Sequence, residues 1–399
     1  MKKAISRSRM GRRALLKGFA GGAGLLFLRP ENALGTAANS KLNVGIIGCG
    51  GRGNHVAEDF AKFTESKIVA LADAFADPME GFKSKFGVEA KRAYAGLGAY
   101  EELIASPVDA VIITSPPYFH PEQMEAAVNA GKHVWCAKPV AVDVPGAKSI
   151  IESGKRAAGK VSVLVDFQTR NSPAFLEVER RIRQGDIGKI VSAQIYYQAG
   201  RLGTHADPND KSPQARLRNW VFDKVLSGDI IVEQNVHVLD VSDWYLNQRP
   251  EKAFGTGGRK ARVDVGDCWD HFICIFWYPD GTRIDFSSGQ YLKGYGDLCM
   301  RFYGTLGTAD THYGRSLKIT GDKPWEGTEQ DNTYREPVIR NAKMFVEGIQ
   351  NGKLLSNAEQ SAESTITTIL GRTAAYEERI VTRDEILKAN VRLEANLKI

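Results

Sequence analysis

The 399-residue chain has no apolar run long enough to cross a bilayer, which takes about 20 residues. Its nearest approach, Gly18 to Leu28, is short and diluted by glycine. Its five cysteines stand at 49, 136, 268, 274 and 299. Their odd number makes a poor disulfide framework, their spacing matches no metal-ligand pattern, and they read as buried small apolar side chains. There is no internal repeat and no low-complexity tract beyond the N-terminus, which excludes solenoids and arrays. A basic patch is missing too. Of the formal charge of +6, residues 1–38 carry +7, so the remainder sits near −1 and offers nothing for nucleic acid to recognise.

What the N-terminus does hold is Ser8-Arg9-Met10-Gly11-Arg12-Arg13-Ala14-Leu15-Leu16-Lys17, then the short apolar run, then small residues from Ala33 to Ala38. Paired arginines, a brief apolar segment and a small-residue cleavage site predict a twin-arginine signal peptide over 1–38. The mature protein is then periplasmic, with the twin-arginine export machinery as a transient partner.

Directly after the leader, Leu42 to Ile47 runs into Gly48-Cys49-Gly50-Gly51-Arg52-Gly53, and Asp73 follows twenty residues past Gly53. An apolar strand, a Gly-x-Gly-x-x-Gly turn, a helix over His55 to Phe63 and a second strand, Lys67 to Asp73, make a dinucleotide-binding fingerprint. Gly48 permits the tight turn, Gly50 lets backbone approach a pyrophosphate, and Gly53 lets helix and strand close up, with Gly51 and Arg52 beside the phosphates. Asp73 suits an adenine-ribose hydroxyl and would repel a 2′-phosphate, so NAD is favoured over NADP.

Strands and helices alternate from Leu42 to about Phe167: Val108 to Ile113, helix from Pro121 to Ala130, Lys132 to Cys136, and Val161 to Phe167. This is the grammar of a doubly wound parallel sheet, a Rossmann domain over 41–168. After Arg170 strands follow one another, at Ile190 to Gln198, Cys268 to Tyr278, Thr282 to Gln290 and Leu298 to Gly304, with Pro279-Asp280-Gly281 as a hairpin turn. Residues 169–399 therefore read as an α+β domain with a largely antiparallel sheet for substrate binding and oligomerisation, closed by helices near Val338 to Asn351 and Ala358 to Arg379. The Cys268 to Tyr278 strand is apolar on both faces, which predicts helices over one side and another subunit over the other, in a homodimer or homotetramer.

Ligands of open α/β sheets lie outside the carboxyl ends of the strands. Three segments aim there: Thr114 to His120, Cys136-Ala137-Lys138-Pro139, and Glu233 to Asp240. On a helix Glu233, His237 and Asp240 fall at i, i+4 and i+7 and share a face. Such a set can orient a general base, can bind a metal, or can be a plain polar face.

Together these residues resemble the Gfo/Idh/MocA family, the glucose-fructose oxidoreductase and inositol dehydrogenase relatives, over nearly the whole mature chain. Gly48 to Gly53 is similar to its cofactor loop, Pro116 to His120 to its proline-rich strand end, and Ile366 to Arg372 to its terminal helix. Lys138 occupies the lysine of its Glu-Lys-Pro motif, with Ala137 where the family has glutamate, and Glu233, His237 and Asp240 match its acid-x-x-x-His-x-x-Asp pattern. The resemblance implies His237 as the base that takes a hydroxyl proton, Lys138 as donor to the same oxygen, and Glu233 and Asp240 in support, with no metal. Ser115, Pro116, Tyr118, His120 and Lys138 are expected around the nicotinamide. Arg170, Trp220 and Tyr291, with Tyr197, His205 and Tyr295 as weaker candidates, are expected to line a sugar site.

The expected function is that of an exported NAD(P)-dependent oxidoreductase of a sugar, polyol or glycoside hydroxyl, with NAD tightly held because the periplasm offers no replenished pool. The same residues also suit a redox-neutral glycoside lyase or hydrolase working through transient hydroxyl oxidation. A non-catalytic sugar-binding module is the remaining alternative.

Overall fold

The computed structural model describes residues 41–328 and 335–397; the leader read at 1–38 lies outside them. The first sheet has six parallel strands: β1 (Leu42–Ile47), β2 (Ser66–Asp73), β3 (Ala93–Ala95), β4 (Ala110–Ile113), β5 (His133–Cys136) and β6 (Val163–Val165). Their spatial order is β3-β2-β1-β4-β5-β6, so the direction of winding reverses between β1 and β4. A crevice opens at such a reversal, outside the strand ends. Helices cover both faces: α1 (Gly51–Phe63), α2 (Asp77–Phe86), α3 (Ala99–Ala105), α4 (His120–Asn129) and α5 (Val144–Ala157). That double cover is why β4 is apolar throughout rather than alternating, with all four residues fully buried.

The rest of the chain adds α6 (Pro173–Arg183), β7 (Ile190–Ala199), α7 (Pro213–Arg218), α8 (Lys224–Ser227), α9 (Ile230–Glu233), α10 (Val236–Leu246) and strands β8 (Lys252–Gly258) to β10, where β9 is His271–Trp277 and β10 Arg283–Gln290. Then come β11 (Asp297–Gly304), β12 (Gly307–His312), β13 (Lys318–Gly321), β14 (Trp325–Glu326), α11 (Glu336–Gln350), α12 (Ala358–Glu377), β15 (Val381–Thr382) and α13 (Arg383–Ala389). Nine strands form the second sheet, in the order β14-β13-β12-β11-β7-β10-β9-β8-β15. It is antiparallel except at its centre, where β7 and β10 run parallel. The parallel pair follows from connectivity: β7 is inserted between β10 and β11, splitting what would otherwise be a hairpin.

Along β9 burial alternates, with Phe272, Cys274 and Phe276 inside and Ile273 and Ile275 outside, 53% and 39% exposed. The inner side chains pack under α12 in the main core, while the outer pair joins Phe254 of β8 on an exposed apolar face. α12 also lies against α5. Gly154 makes that approach possible, since a Cβ there would stand 2.6 Å from that of Ala358. One helix thus touches both sheets.

Candidate active site

Two adjoining cavities lie at the carboxyl ends of the parallel strands. The larger, about 450 Å³, is floored by the glycine loop. Gly48 sits at φ +93°, and a Cβ on it would come 2.5 Å from the Ser115 amide. A Cβ on Gly53 would strike the Gly48 carbonyl oxygen at 2.1 Å, so only glycine lets α1 start this close to β1. Gly50 and Gly51 face open space, and the helix start has neither a side-chain cap nor an acidic residue in its first turn. Its N–H groups are therefore free to bind an anion, which is what a dinucleotide diphosphate requires.

Asp73 ends β2 on the wall of this cavity, its carboxylate accepting from the Cys49 amide at 2.7 Å and the Phe75 amide at 2.9 Å. Burial pushes its pKa up, against the pull of those two amides. Opposite stand residues from the segment after β7. His205, Leu217, Arg218 and Trp220 line the cavity, and Arg218 grips Asp77 with two bonds of 2.7 and 3.0 Å while stacking 4.0 Å from the Phe75 ring centroid. The irregular C-terminal stretch after Asn390 holds this segment down. The Ala395 carbonyl accepts from Arg216 at 2.5 Å, and Leu397 packs with Leu217, Phe75 and Tyr118 in one apolar cluster.

The smaller cavity, about 300 Å³, shares Arg52, Thr114, Ser115 and Trp220 with the larger. Here the structure assembles Lys138, Glu233 and His237, with Tyr197, Gln168 and Gln234 around them. Lys138 Nζ donates to the Glu233 backbone oxygen at 2.5 Å and to its carboxylate at 3.1 Å. His237 lies 5.5 Å from the Tyr313 ring, and its Nδ1 is buried without a hydrogen-bond partner. Burial, then the charges of Lys138 and Arg52, hold its pKa well below the ordinary histidine value, so the ring is neutral and able to accept a proton. His120 braces the site. Its ring nitrogens stand 2.7 Å from the Pro139 oxygen and 2.8 Å from the Ser115 oxygen, tying the β4 end to the β5 end. Ser115 Oγ, in turn, donates to Gln123 at 2.5 Å.

Asp240 and Arg170 are placed elsewhere. The one-face arrangement expected for Glu233, His237 and Asp240 assumes an unbroken helix, but the chain ends α9 at Glu233 and restarts at Val236. Across that break the Asn235 amide reaches back five residues to Ile230 at 3.0 Å, a wide turn that changes the phase. Asp240 is fully buried, chelated by Arg170 at 2.7 to 3.1 Å and receiving Ser364 Oγ at 2.6 Å. Arg170 lines a separate cavity beside Trp244. Tyr291 and Tyr295 are exposed and line neither of the two adjoining cavities, while Pro116 lines the larger and Tyr118 packs beneath the segment after β7.

Among the described residues no three-ligand metal set forms around His237, from which Asp240 is turned away. The described residues do bring Cys299, Asp310 and His312 together on β11 and β12. There His312 meets carboxylates at both nitrogens, 2.8 Å from Asp297 and 3.0 Å from Asp310, and hydrogen bonding to Asp310 raises its pKa to about 10. A ring donating at both nitrogens has no lone pair for a metal. Sequence reasoning missed Asp166, which lines the smaller cavity from the end of β6, and Arg218. Asp166 had a readable signal, a carboxylate ending an apolar strand; Arg218 had none, because its partners are remote in sequence.

Residues 42–165 match the model of the oxidoreductase family with an NAD-binding Rossmann fold, and residues 175–310 match the GFO/IDH/MocA C-terminal domain. Among curated proteins, the chain is 25% identical over 360 residues to the myo-inositol 2-dehydrogenase of Thermotoga maritima, covering 87% of this chain and 100% of that one. It is likewise 25% identical over 317 residues to an inositol 2-dehydrogenase of Rhizobium meliloti, covering 77% and 88%. Among solved structures it resembles the aldose-aldose oxidoreductase of Caulobacter crescentus complexed with glycerol (TM-score 0.71, 18% identity, 86% and 99% covered). A scyllo-inositol dehydrogenase of Lactobacillus casei with bound NAD(H) and scyllo-inositol is similar to the same degree (TM-score 0.69, 20% identity, 86% and 100% covered).

Proposed function

The chain belongs to the GFO/IDH/MocA oxidoreductases, NAD-dependent enzymes of CH–OH chemistry, and on that premise we propose that it oxidises a secondary hydroxyl of an uncharged sugar, polyol or glycoside. The observation that carries this reading is the convergence of Lys138, Glu233 and His237 in a cavity that shares a wall with the glycine-loop cavity. Neutral His237 accepts the hydroxyl proton. Lys138 donates to the same oxygen and stabilises the negative charge that develops there. Glu233 holds the ammonium in place. Bound NAD supplies the hydride acceptor. The cavity's charged side chains come in pairs, Lys138 with Glu233 and Arg52 with Asp166, so its lining carries no net charge to select a sugar acid or phosphate. Trp220 and Tyr197 offer aromatic faces, and Gln168 and Gln234 offer amides, for a ring of hydroxyls.

Export and cofactor retention belong to the same proposal. The leader directs the protein to the periplasm by the twin-arginine route, and the NAD stays with it from one turnover to the next. Retention is supported by the segment from His205 to Trp220 over the glycine-loop cavity, pinned by Arg218–Asp77 and by the C-terminal chain. The exposed apolar face of β8 and β9 is covered by a second copy in a homo-oligomer.

The test is the near-ultraviolet absorbance of the exhaustively dialysed mature protein, with a panel of sugars and glycosides and no added cofactor. A rise in the reduced-nicotinamide band, absent in Lys138→Met and in His237→Asn, is the expected result. Cleavage of a glycoside without net reduction would favour transient oxidation followed by elimination. Turnover that survives both substitutions would remove these residues from the chemistry.

A further inference from the structure

The site lacks a carboxylate at Ala137 but holds one at the end of the neighbouring strand. Cys136 pairs with Val165 across β5 and β6, so Ala137 and Asp166 stand side by side at the strand ends, and both line the smaller cavity. Asp166 is 1% exposed, an expensive place for a charge unless it is paired. Its partners are Arg52, in an ion pair, and Asn341 of α11, whose Nδ2 donates at 2.6 Å. Asn341 is itself fully buried and accepts from Asn171 at 2.5 Å, so the carboxylate is held from behind by a fixed polar chain. Arg52 is different: its side chain is 39% exposed, and it lines both cavities. From the first turn of α1 it reaches across to the end of β6, passing 5.9 Å from the Trp135 ring of β5, and so spans the junction where the two cavities meet.

We infer that Asp166 is a positioning residue that takes over from the missing carboxylate at Ala137, and that the Arg52 it orients clamps the nicotinamide-side half of NAD at that junction. A guanidinium carries five donors, and one carboxylate occupies at most two of them, so donors remain for oxygen atoms of the ligand. The inference rests on the NAD-binding reading of the larger cavity and is independent of the sugar. Arg52 also places a second positive charge toward His237, alongside Lys138, which ties the clamp to the neutral base.

The experiment measures NADH and ADP binding by fluorescence and calorimetry, without sugar, in the full chain after any resident nucleotide has been stripped from it and its removal checked by absorbance. Asp166→Asn keeps the shape and can still accept from Asn341 while removing the charge that orients Arg52. NADH affinity is expected to fall about tenfold or more, which is about 1.4 kcal/mol. ADP, which lacks the nicotinamide half, is expected to bind as before. Arg52→Ala is expected to lose a similar factor, and the double variant no more than either single one, because the two act as a unit. Ala137→Glu introduced into Asp166→Asn is expected to recover most of the loss. If Asp166→Asn lowers the melting temperature but leaves NADH affinity unchanged, the pair is only a tie between α1 and β6 and the inference fails. If ADP weakens by the same factor as NADH, Arg52 serves the diphosphate and the assignment to the nicotinamide side is wrong. If neither nucleotide binds the unmutated protein, it is the NAD-binding reading that fails, and with it the ground for this inference.

Discussion

Acid should destabilise this fold in part through one buried histidine, His120. His120 is 1% exposed, and both of its ring nitrogens meet carbonyl oxygens. Burial presses the pKa down to about 4; the Ser115 and Pro139 carbonyls pull upward and the Lys138 charge presses down again. The unfolded chain titrates near 6.5, so between pH ~6.5 and ~4 it takes up a proton that the folded chain refuses. Stability is therefore full above pH ~6.5 and is lost as pH falls toward 4. At pH 5 the unfolded imidazole is about 97% protonated and the folded one about 10%, which amounts to a loss of about 2 kcal/mol. His237 adds a loss of the same sign, since its pKa is also depressed by burial and by Lys138 and Arg52. The assay compares urea midpoints at pH 7 and pH 5 for the wild type and His120→Gln, which retains a donor near the Nε2 position. The variant starts about 1 kcal/mol less stable at pH 7, because the neutral ring has a single N–H to give to the two carbonyls and the amide remakes that bond less well. Between pH 7 and pH 5 it should lose about 2 kcal/mol less than the wild type. An equal loss in both proteins would refute the reasoning, because the folded imidazole would then take up its proton over the same pH range as the unfolded one.

Asp73→Ser should bring NADP binding within about tenfold of NAD binding, since a 2′-phosphate 5 Å from a carboxylate is opposed by about 3 kcal/mol per unit charge at an effective dielectric of 20. A variant still selective for NAD by about a hundredfold, measured by NADPH fluorescence titration, would place the selectivity elsewhere in the cavity. Ending the chain at Asn390 removes the Ala395 bond to Arg216 and the Leu397 contacts. The expected result is NADH dissociation faster by about tenfold or more in stopped flow, with far-ultraviolet dichroism unchanged; an unchanged rate would show that the C-terminal chain does not hold the cavity shut. Ile275→Lys puts a charge at the middle of the exposed face of β9, and sedimentation should then show dissociation to the monomer. An oligomer that survives the substitution must use another surface.

What could be read from the sequence is what depends on the chain's neighbours in sequence. The turn at Gly48, the approach at Gly53 and the carboxylate of Asp73 are set within one strand-turn-helix-strand unit, and β1 falls on the residues expected for it, Leu42 to Ile47. That Lys138 and His237 would meet at one cavity was readable because each ends or follows a recognisable local element. The parallel pairing of β7 with β10 was not readable, since nothing in either strand says which partner it takes. Spacing also misplaced Asp240. Counting i, i+4 and i+7 presumes one helix, and the wide turn at Asn235 breaks that premise without any proline or glycine to announce it. The resulting phase sends Asp240 to Arg170 in the interior, so that two expected site residues neutralise each other beneath α12, where Ser364 completes their network. Asp166 shows the converse. Its carboxylate ends an apolar strand, as a site residue of this fold should, yet its significance comes from lying beside Ala137, and that adjacency exists only once β5 and β6 are paired. A motif with one member missing is therefore incomplete evidence against the function, because a neighbouring strand can return the missing charge from a position that no alignment along the chain would compare with it.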